Sequence, residues 1–156
     1  MKFRLLWLGS TADTEFRRAT ERYIERIRHF YPLEITEVAP EKSRQKKSDA
    51  AIIRADSARL IAALPDRGTL VVLDERGKPM DSLKFAKWLE EITIRDPHGV
   101  TFVIGGDLGL DEELRRRARL VLSLSAMTLP HDLARVVLLE QIYRACTLMR
   151  NIRYHK

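Results

Sequence analysis

The stretch VTFVIGGDLG, residues 100–109, decides how the chain folds. Five β-branched, aromatic or aliphatic residues run without a polar alternate, the mark of a strand covered on both faces. The two glycines that follow let the backbone turn and come close to a ligand at the strand's carboxyl end. Upstream, TLVVLD (residues 69–74) repeats the pattern before a GKP loop, and residues 2–9, within MKFRLLWLGS, supply a first strand ending in a turn. Residues 33–38 and 120–124 read as two more strands.

Between these runs the apolar spacing changes to the helical one. Phe16, Tyr23, Ile27 and Phe30 mark a helix over residues 13–30, which Tyr31-Pro32 stops because proline disfavours a helical residue before it. A second helix runs to Leu64, ahead of the turn Pro65-Asp66-Arg67-Gly68. Further helices cover residues 81–94, with Leu83, Ala86, Leu89 and Ile92 in phase, then residues 111–119, and an apolar last helix over residues 132–149. Strand and helix alternate along the whole chain, which predicts an α/β fold with a mainly parallel sheet flanked by helices. At 156 residues, residues 1–156 read as a single domain able to bury roughly 68–70% of its unfolded surface.

Composition narrows the function classes. Hydrophobic residues at 45% and charged residues at 32% mark a globular chain rather than a disordered one. No apolar run approaches the roughly 20 residues of a membrane span, so no membrane partner is expected. The N-terminus lacks a cleavage signal, and the single cysteine, Cys146, excludes an internal disulfide and fits a cytoplasmic setting. His29, His98, His131 and His155 are scattered, which argues against a metal site. No GxSxG nucleophile turn is present. The net charge of +6 and a pI near 9.7 favour a nucleic-acid partner.

Three motifs carry chemistry. FVIGGDLG (residues 102–109) has neither the spacing of a dinucleotide fingerprint nor that of a phosphate loop; as a bare pattern it reads equally as a structural turn or a binding loop. The loop Ser125–Pro130 offers backbone amides, small hydroxyls and a Met–Leu pair, a mixture suited to an adenosine moiety, although a plain strand-to-helix connection reads the same way. The tail ends in Tyr154 and His155, which read either as an ordinary polar chain end or, placed after the last apolar helix, as a stacking ring and a group that titrates near neutral pH. The run Arg115-Arg116-Arg117 reads as a solvated helix face, and residues 41–49 as an exposed basic loop or helix start.

Taken together and in this order, LDERGK (residues 73–78), FVIGGDLG, LSLSAMTLPHDLAR (residues 122–135), EQIYRA (residues 140–145) and a terminal YHK resemble the RlmH family of SPOUT methyltransferases over nearly the whole chain. The resemblance implies a SPOUT α/β fold with a C-terminal trefoil knot, and a homodimer whose active sites are each completed by the partner chain. It implies S-adenosyl-L-methionine as cofactor, held by Leu73, Gly105, Ser125, Ala126, Met127, Thr128, Leu129 and Pro130. It implies methylation of the N3 nitrogen of a pseudouridine in 23S ribosomal RNA, on the assembled ribosome. His155 and Tyr154 are expected near the target base, Arg144 and His131 as cationic or positioning groups, and Glu140 as a base or an arginine partner. Lys42, Arg44, Lys46 and Lys47 are candidates for phosphate contacts, with Arg153 adding charge beside the RNA site. Asp107-Leu108 in the glycine loop and Arg153 before the Tyr-His pair depart from the family pattern. The competing readings are a basic module that binds RNA or a nucleotide without chemistry, and a SPOUT relative acting on transfer RNA.

Overall fold

Strands β1 (Phe3–Leu8), β2 (Leu33–Val38), β3 (Thr69–Pro79), β4 (Val100–Ile104) and β5 (Leu120–Ser123) form one sheet in the order β2-β1-β4-β3-β5, and all neighbours run parallel. The computed structural model describes residues 1–42 and 44–154, with Arg44 described by its backbone alone. Parallel neighbours need crossovers, and the helices α1 (Thr14–Arg28), α2 (Asp49–Ala62), α3 (Ser82–Arg95) and α4 (Glu112–Arg117) supply them. The last helix, α5 (His131–Met149), packs against α1 and α3.

The strand pleat divides the core in two. Phe3, Leu5 and Trp7 of β1 face one side, with Phe102 of β4, Ile27 of α1, Leu89 of α3 and Leu138 and Ile142 of α5. Leu6 and Leu8 face the other, with Val103, Leu60 of α2 and Leu114 of α4. Alternate residues of one strand thus reach opposite layers, and the apolar run of β4, buried throughout, is explained by helices on both faces. Four of the helices begin where an aspartate or serine accepts amide protons: Asp13 for α1, Ser48 for α2, Asp81 for α3 and Asp111 for α4. Cys146 is fully buried, and burial pushes its thiol up to about 12, so it packs as a small apolar group.

One local expectation is corrected: the strand expected to end at Asp74 continues as β3 to Pro79. Leu73 pairs with Leu122, residues 74–77 are pushed out of register, and Lys78 then pairs with the same Leu122. Gly77 makes this possible, because a Cβ there would lie 2.8 Å from backbone carbons of Val121 and Leu122. The basic stretch after Glu41 contains a short 3₁₀ turn, Arg44–Lys46, before α2. Among the described residues no helix is long and apolar enough to cross a membrane.

Candidate functional site

A cleft of about 1140 Å³ opens at the carboxyl ends of β3, β4 and β5, where parallel sheets present their ligand sites. Leu73 of β3, Ile104 of β4 and Leu122 of β5 form its floor. Three loops form its walls: residues 74–76, the glycine loop 105–110, and residues 124–130 leading into α5. Each of the residues expected to hold the cofactor lines this cleft except Ala126, which is exposed outside it. Gly105 has no room for a side chain, since a Cβ would meet the Leu110 side chain at 2.8 Å and the Gly109 carbonyl oxygen at 3.1 Å. The loop is closed by the Gly109 amide donating to the Gly106 carbonyl at 3.0 Å. On the opposite wall the Ser125 hydroxyl accepts the Met127 amide at 2.9 Å, and Thr128 donates across to Glu75 at 2.9 Å.

This donor set fits an adenosyl group bearing an aliphatic sulfonium arm. Leu73, Leu122 and Leu129 offer apolar surface to a purine, and the loop backbones and hydroxyls around them can take its polar edges. Met127, 77% exposed, stands at the mouth. Among the described residues no group of three His, Cys, Asp or Glu is placed to hold a metal.

The expected catalytic residues fall into two groups. His131 sits on the cleft wall at the start of α5, with Nδ1 2.6 Å from Asp107 Oδ1. Glu140, Arg144 and Tyr154 gather at the far half of α5. Arg144 donates to Glu140 through Nη2 at 2.5 Å and Nε at 3.1 Å, the Gln141 amide donates to it at 2.6 Å, and the Tyr154 hydroxyl at 3.1 Å. The Arg144 guanidinium lies 4.8 Å over the Tyr154 ring, which meets Tyr143 edge-on at 4.8 Å. At about 1.5 Å of rise per residue, Glu140 and Arg144 stand roughly 14 and 20 Å along the helix from His131. One chain therefore does not bring the tail group to its own cleft wall. Burial, a hydrogen bond with Tyr23 and the Glu140 carboxylate all push the Tyr154 hydroxyl well above the ordinary phenol range, so it is a neutral donor rather than a base. His155 lies outside the described residues.

Of the RNA candidates, Lys42, Lys46 and Arg153 are exposed, and Lys47 pairs with Glu41 at 3.3 Å. The side chain of Arg44 lies outside the described residues. The basic segment precedes α2, whose Ala50, Ile53 and Arg54 line the cleft.

Two arginines escaped sequence reasoning. Arg115 is no solvated face residue: it donates to Asp74 at 2.7 Å and to the Leu110 carbonyl at 2.8 Å, tying the out-of-register segment of β3 to the glycine loop. Partial burial would raise the Asp74 carboxyl, but hydrogen bonds from the Arg76 amide and from Arg115 and Arg76 outweigh it and hold the carboxyl below its ordinary value. Arg135 is 0% exposed. It donates to Thr11 Oγ1 and Asp132 Oδ1 at 2.9 Å each and to the Leu8 carbonyl at 2.5 Å, and it lies 4.9 Å over the Trp7 ring. The only sequence signal for either was an arginine beside apolar residues in a helical run.

A family model described as a predicted SPOUT methyltransferase matches residues 1–155. Among curated proteins, the chain is 40% identical over 157 residues to the ribosomal RNA large subunit methyltransferase H of Syntrophobacter fumaroxidans, covering all of both chains. It is 41% identical to the protein of that name from Trichlorobacter lovleyi, covering 99% of each, and 44% identical to that of Chromobacterium violaceum, covering 100% of this chain and 99% of that one. Among solved structures, a probable methylase family protein from Haemophilus influenzae superposes with a TM-score of 0.56 at 10% identity, over 99% of this chain and 70% of that one. A putative methyltransferase from Legionella pneumophila, solved with bound SAM, superposes with a TM-score of 0.50 at 14% identity, over 93% of this chain and 66% of that one. At these identities the structural likeness establishes the shared fold.

Proposed function

The chain belongs to the SPOUT methyltransferase family, and from that premise we propose that it transfers the methyl group of S-adenosylmethionine to the N3 nitrogen of a pseudouridine in 23S ribosomal RNA, on the assembled ribosome. The observation that carries this reading is the cleft at the carboxyl edge of the sheet. Leu73, Gly105 and the 125–130 loop, distant in sequence, meet there in a full-length relative of proteins named for methylation of large-subunit ribosomal RNA.

When bound, the cofactor supplies an electrophilic methyl group on a sulfonium sulfur. The rest falls to the chain. Leu73, Leu122 and Leu129 seat the apolar part of the ligand and exclude water, and the loop amides fix its orientation. Reaction requires N3 aligned with the methyl at about 3–3.5 Å. For N3 to accept the methyl group it must give up its proton, which the chain's own residues would have to receive. Tyr154 offers a ring for the target base to stack against and a neutral hydroxyl; Arg144 offers a cation beside it, and Glu140 locks both. Glu140 already accepts from Arg144, Gln141 and Tyr154, which makes it an anchor rather than the base. His155 is the candidate to take the N3 proton, a role typically contributing about 10²–10⁴-fold.

The separation of His131 from the tail group supports a homodimer in which the tail of one copy completes the cleft of the other. Membership of the family implies that the C-terminal segment, α5 included, is threaded through a trefoil knot in each copy. Exposed Lys42 and Lys46, in the basic segment before α2, with Arg153 at the tail, would hold RNA phosphates.

The test is labelled-methyl transfer from S-adenosylmethionine to whole ribosomes, separated subunits and transfer RNA from a strain lacking this gene. Label on a pseudouridine of large-subunit RNA is expected; label on transfer RNA alone would move the substrate, and no label with no cofactor binding would refute methyl transfer. Mixing a Gly105→Trp chain with a Tyr154→Ala chain tests the shared site. Activity recovered in mixed dimers is expected, and none would place each site within one chain.

A further inference from the structure

The glycine loop carries a side chain whose position calls for an explanation. The loop is stiffened by the Gly106–Gly109 bridge and by Leu110 packed against Gly105. At its tip Asp107, 69% exposed at the side chain, places Oδ1 2.6 Å from Nδ1 of His131 on the other wall of the cleft. The opposite edge of the ring faces Asp132, whose Oδ1 is 3.4 Å from Nε2. Asp132 is not free to move, because it accepts from the buried Arg135, itself fixed to Thr11 and the Leu8 carbonyl. The charged groups around the ring are thus Asp107 from the glycine loop and Asp132 from α5, with Arg135 behind Asp132 and Glu37 acting on Arg135 from β2.

A carboxylate only accepts hydrogen bonds. The short contact therefore assigns the proton of a neutral ring to Nδ1, and the stiff loop fixes the ring's rotation. Without Asp107 the remaining carboxylate, Asp132, would draw that proton to Nε2 and turn the ring toward the core. Which ring nitrogen is protonated is set by the partner of the other, and it decides what the exposed edge can do.

We propose that Asp107 is a positioning residue: it clamps His131 in one orientation and one tautomer at the edge of the cofactor cleft, so that the ring meets the substrate side pre-organised. The inference rests on the methyltransferase reading of His131 given above.

The experiment uses the full chain with Asp107→Ala, Asp107→Asn and His131→Ala. Imidazole ¹⁵N–¹H correlation spectra, taken where the ring is neutral, read the tautomer; calorimetry reads S-adenosylmethionine affinity; and ribosome methylation reads turnover. The wild type is expected to carry its proton on Nδ1, and Asp107→Ala to shift it toward Nε2. Turnover should fall by about 10-fold, the low end of the roughly 10–100-fold found when the outer partner of a metal-ligating histidine is removed, and by more than cofactor affinity does. Asp107→Asn, whose amide oxygen can still accept from Nδ1, should recover most of the loss. Unchanged tautomer or unchanged turnover in Asp107→Ala overturns the proposal, as does a joint loss of affinity and turnover that Asn does not rescue. Full turnover in His131→Ala would instead remove His131 from the reaction, and the proposal with it.

Discussion

Replacing Arg135 with alanine tests how the cleft is held to the core. The substitution strips the buried Asp132 carboxylate, the Thr11 hydroxyl and the Leu8 carbonyl of the same donor group, and removes the cation from the Trp7 face. Breaking one side of a buried ion pair costs about 3–5 kcal/mol, because the partner charge is left uncompensated. In a domain of this size each kcal/mol moves the melting temperature by about 2–4 °C, so the expected fall is roughly 6–20 °C. Thermal unfolding by circular dichroism at fixed protein concentration reads it. Asp132 is the main casualty, so the double variant Arg135→Met with Asp132→Asn should recover about half or more of the loss, as apolar replacement of a complete buried pair commonly does. Cofactor affinity should fall as well, since Pro130, His131 and Ala134 of the cleft wall lie on the turn that Arg135 pins. A single variant within about 1 kcal/mol of wild type, the ordinary range for surface changes and small losses, would refute the reasoning.

Other outcomes follow from the same geometry. Gly77→Ala forces a Cβ to within 2.8 Å of β5 backbone carbons, and should cost about 1–3 kcal/mol of stability in denaturant unfolding; a neutral result would mean that the 74–77 loop is not pressed against β5. The Asp74 carboxyl lies below its ordinary value in the fold. Its contribution is therefore complete above the unfolded pKa near 3.9 and is lost as pH falls through the lower folded value, so Asp74→Asn should flatten the decline of melting temperature below about pH 5. Equal declines in variant and wild type would contradict this. The Tyr154 hydroxyl, pushed upward, should stay protonated at neutral pH; Tyr154→Phe is expected to leave the alkaline limb of the rate profile in place, and its disappearance would make the phenol a base. Reversing Lys42 and Lys46 to glutamate should weaken RNA binding and reduce the slope of log affinity against log salt by about 1.5–2, as two lost phosphate contacts require.

The sheet and its helices were legible because each element obeys a local rule. The apolar runs of β4 and of residues 5–8 in β1, the aspartates at the starts of α1, α3 and α4, and Pro32 after α1 all point the same way. The second half of β3 was not legible. Lys78 and Pro79 carry loop chemistry, and only the shifted pairing with β5 makes them strand. The cofactor residues came from the family resemblance rather than from any single motif, and all of them but Ala126 line the cleft. Asp107, Arg115 and Arg135 could not be read, since what they do is set by partners 24 to 127 positions away. The distance between His131 and the tail group was implicit in one continuous helix.

The place of β1 in the sheet has a consequence for how the chain is made. β1 is the first strand to leave the ribosome, yet it lies between β2 and β4, and its partner residue for Phe3 is Val100. At about 5–20 residues per second of synthesis, the hydrogen-bonding edge awaiting β4 stays open for roughly 5–20 s. Through that interval the segment FRLLWL presents a β-prone, apolar edge to other nascent chains. Lys2 and Arg4, which flank and interrupt it, are the charges that discourage such pairing. Neutralising both should leave the finished fold standing and lower the yield of soluble protein during rapid expression.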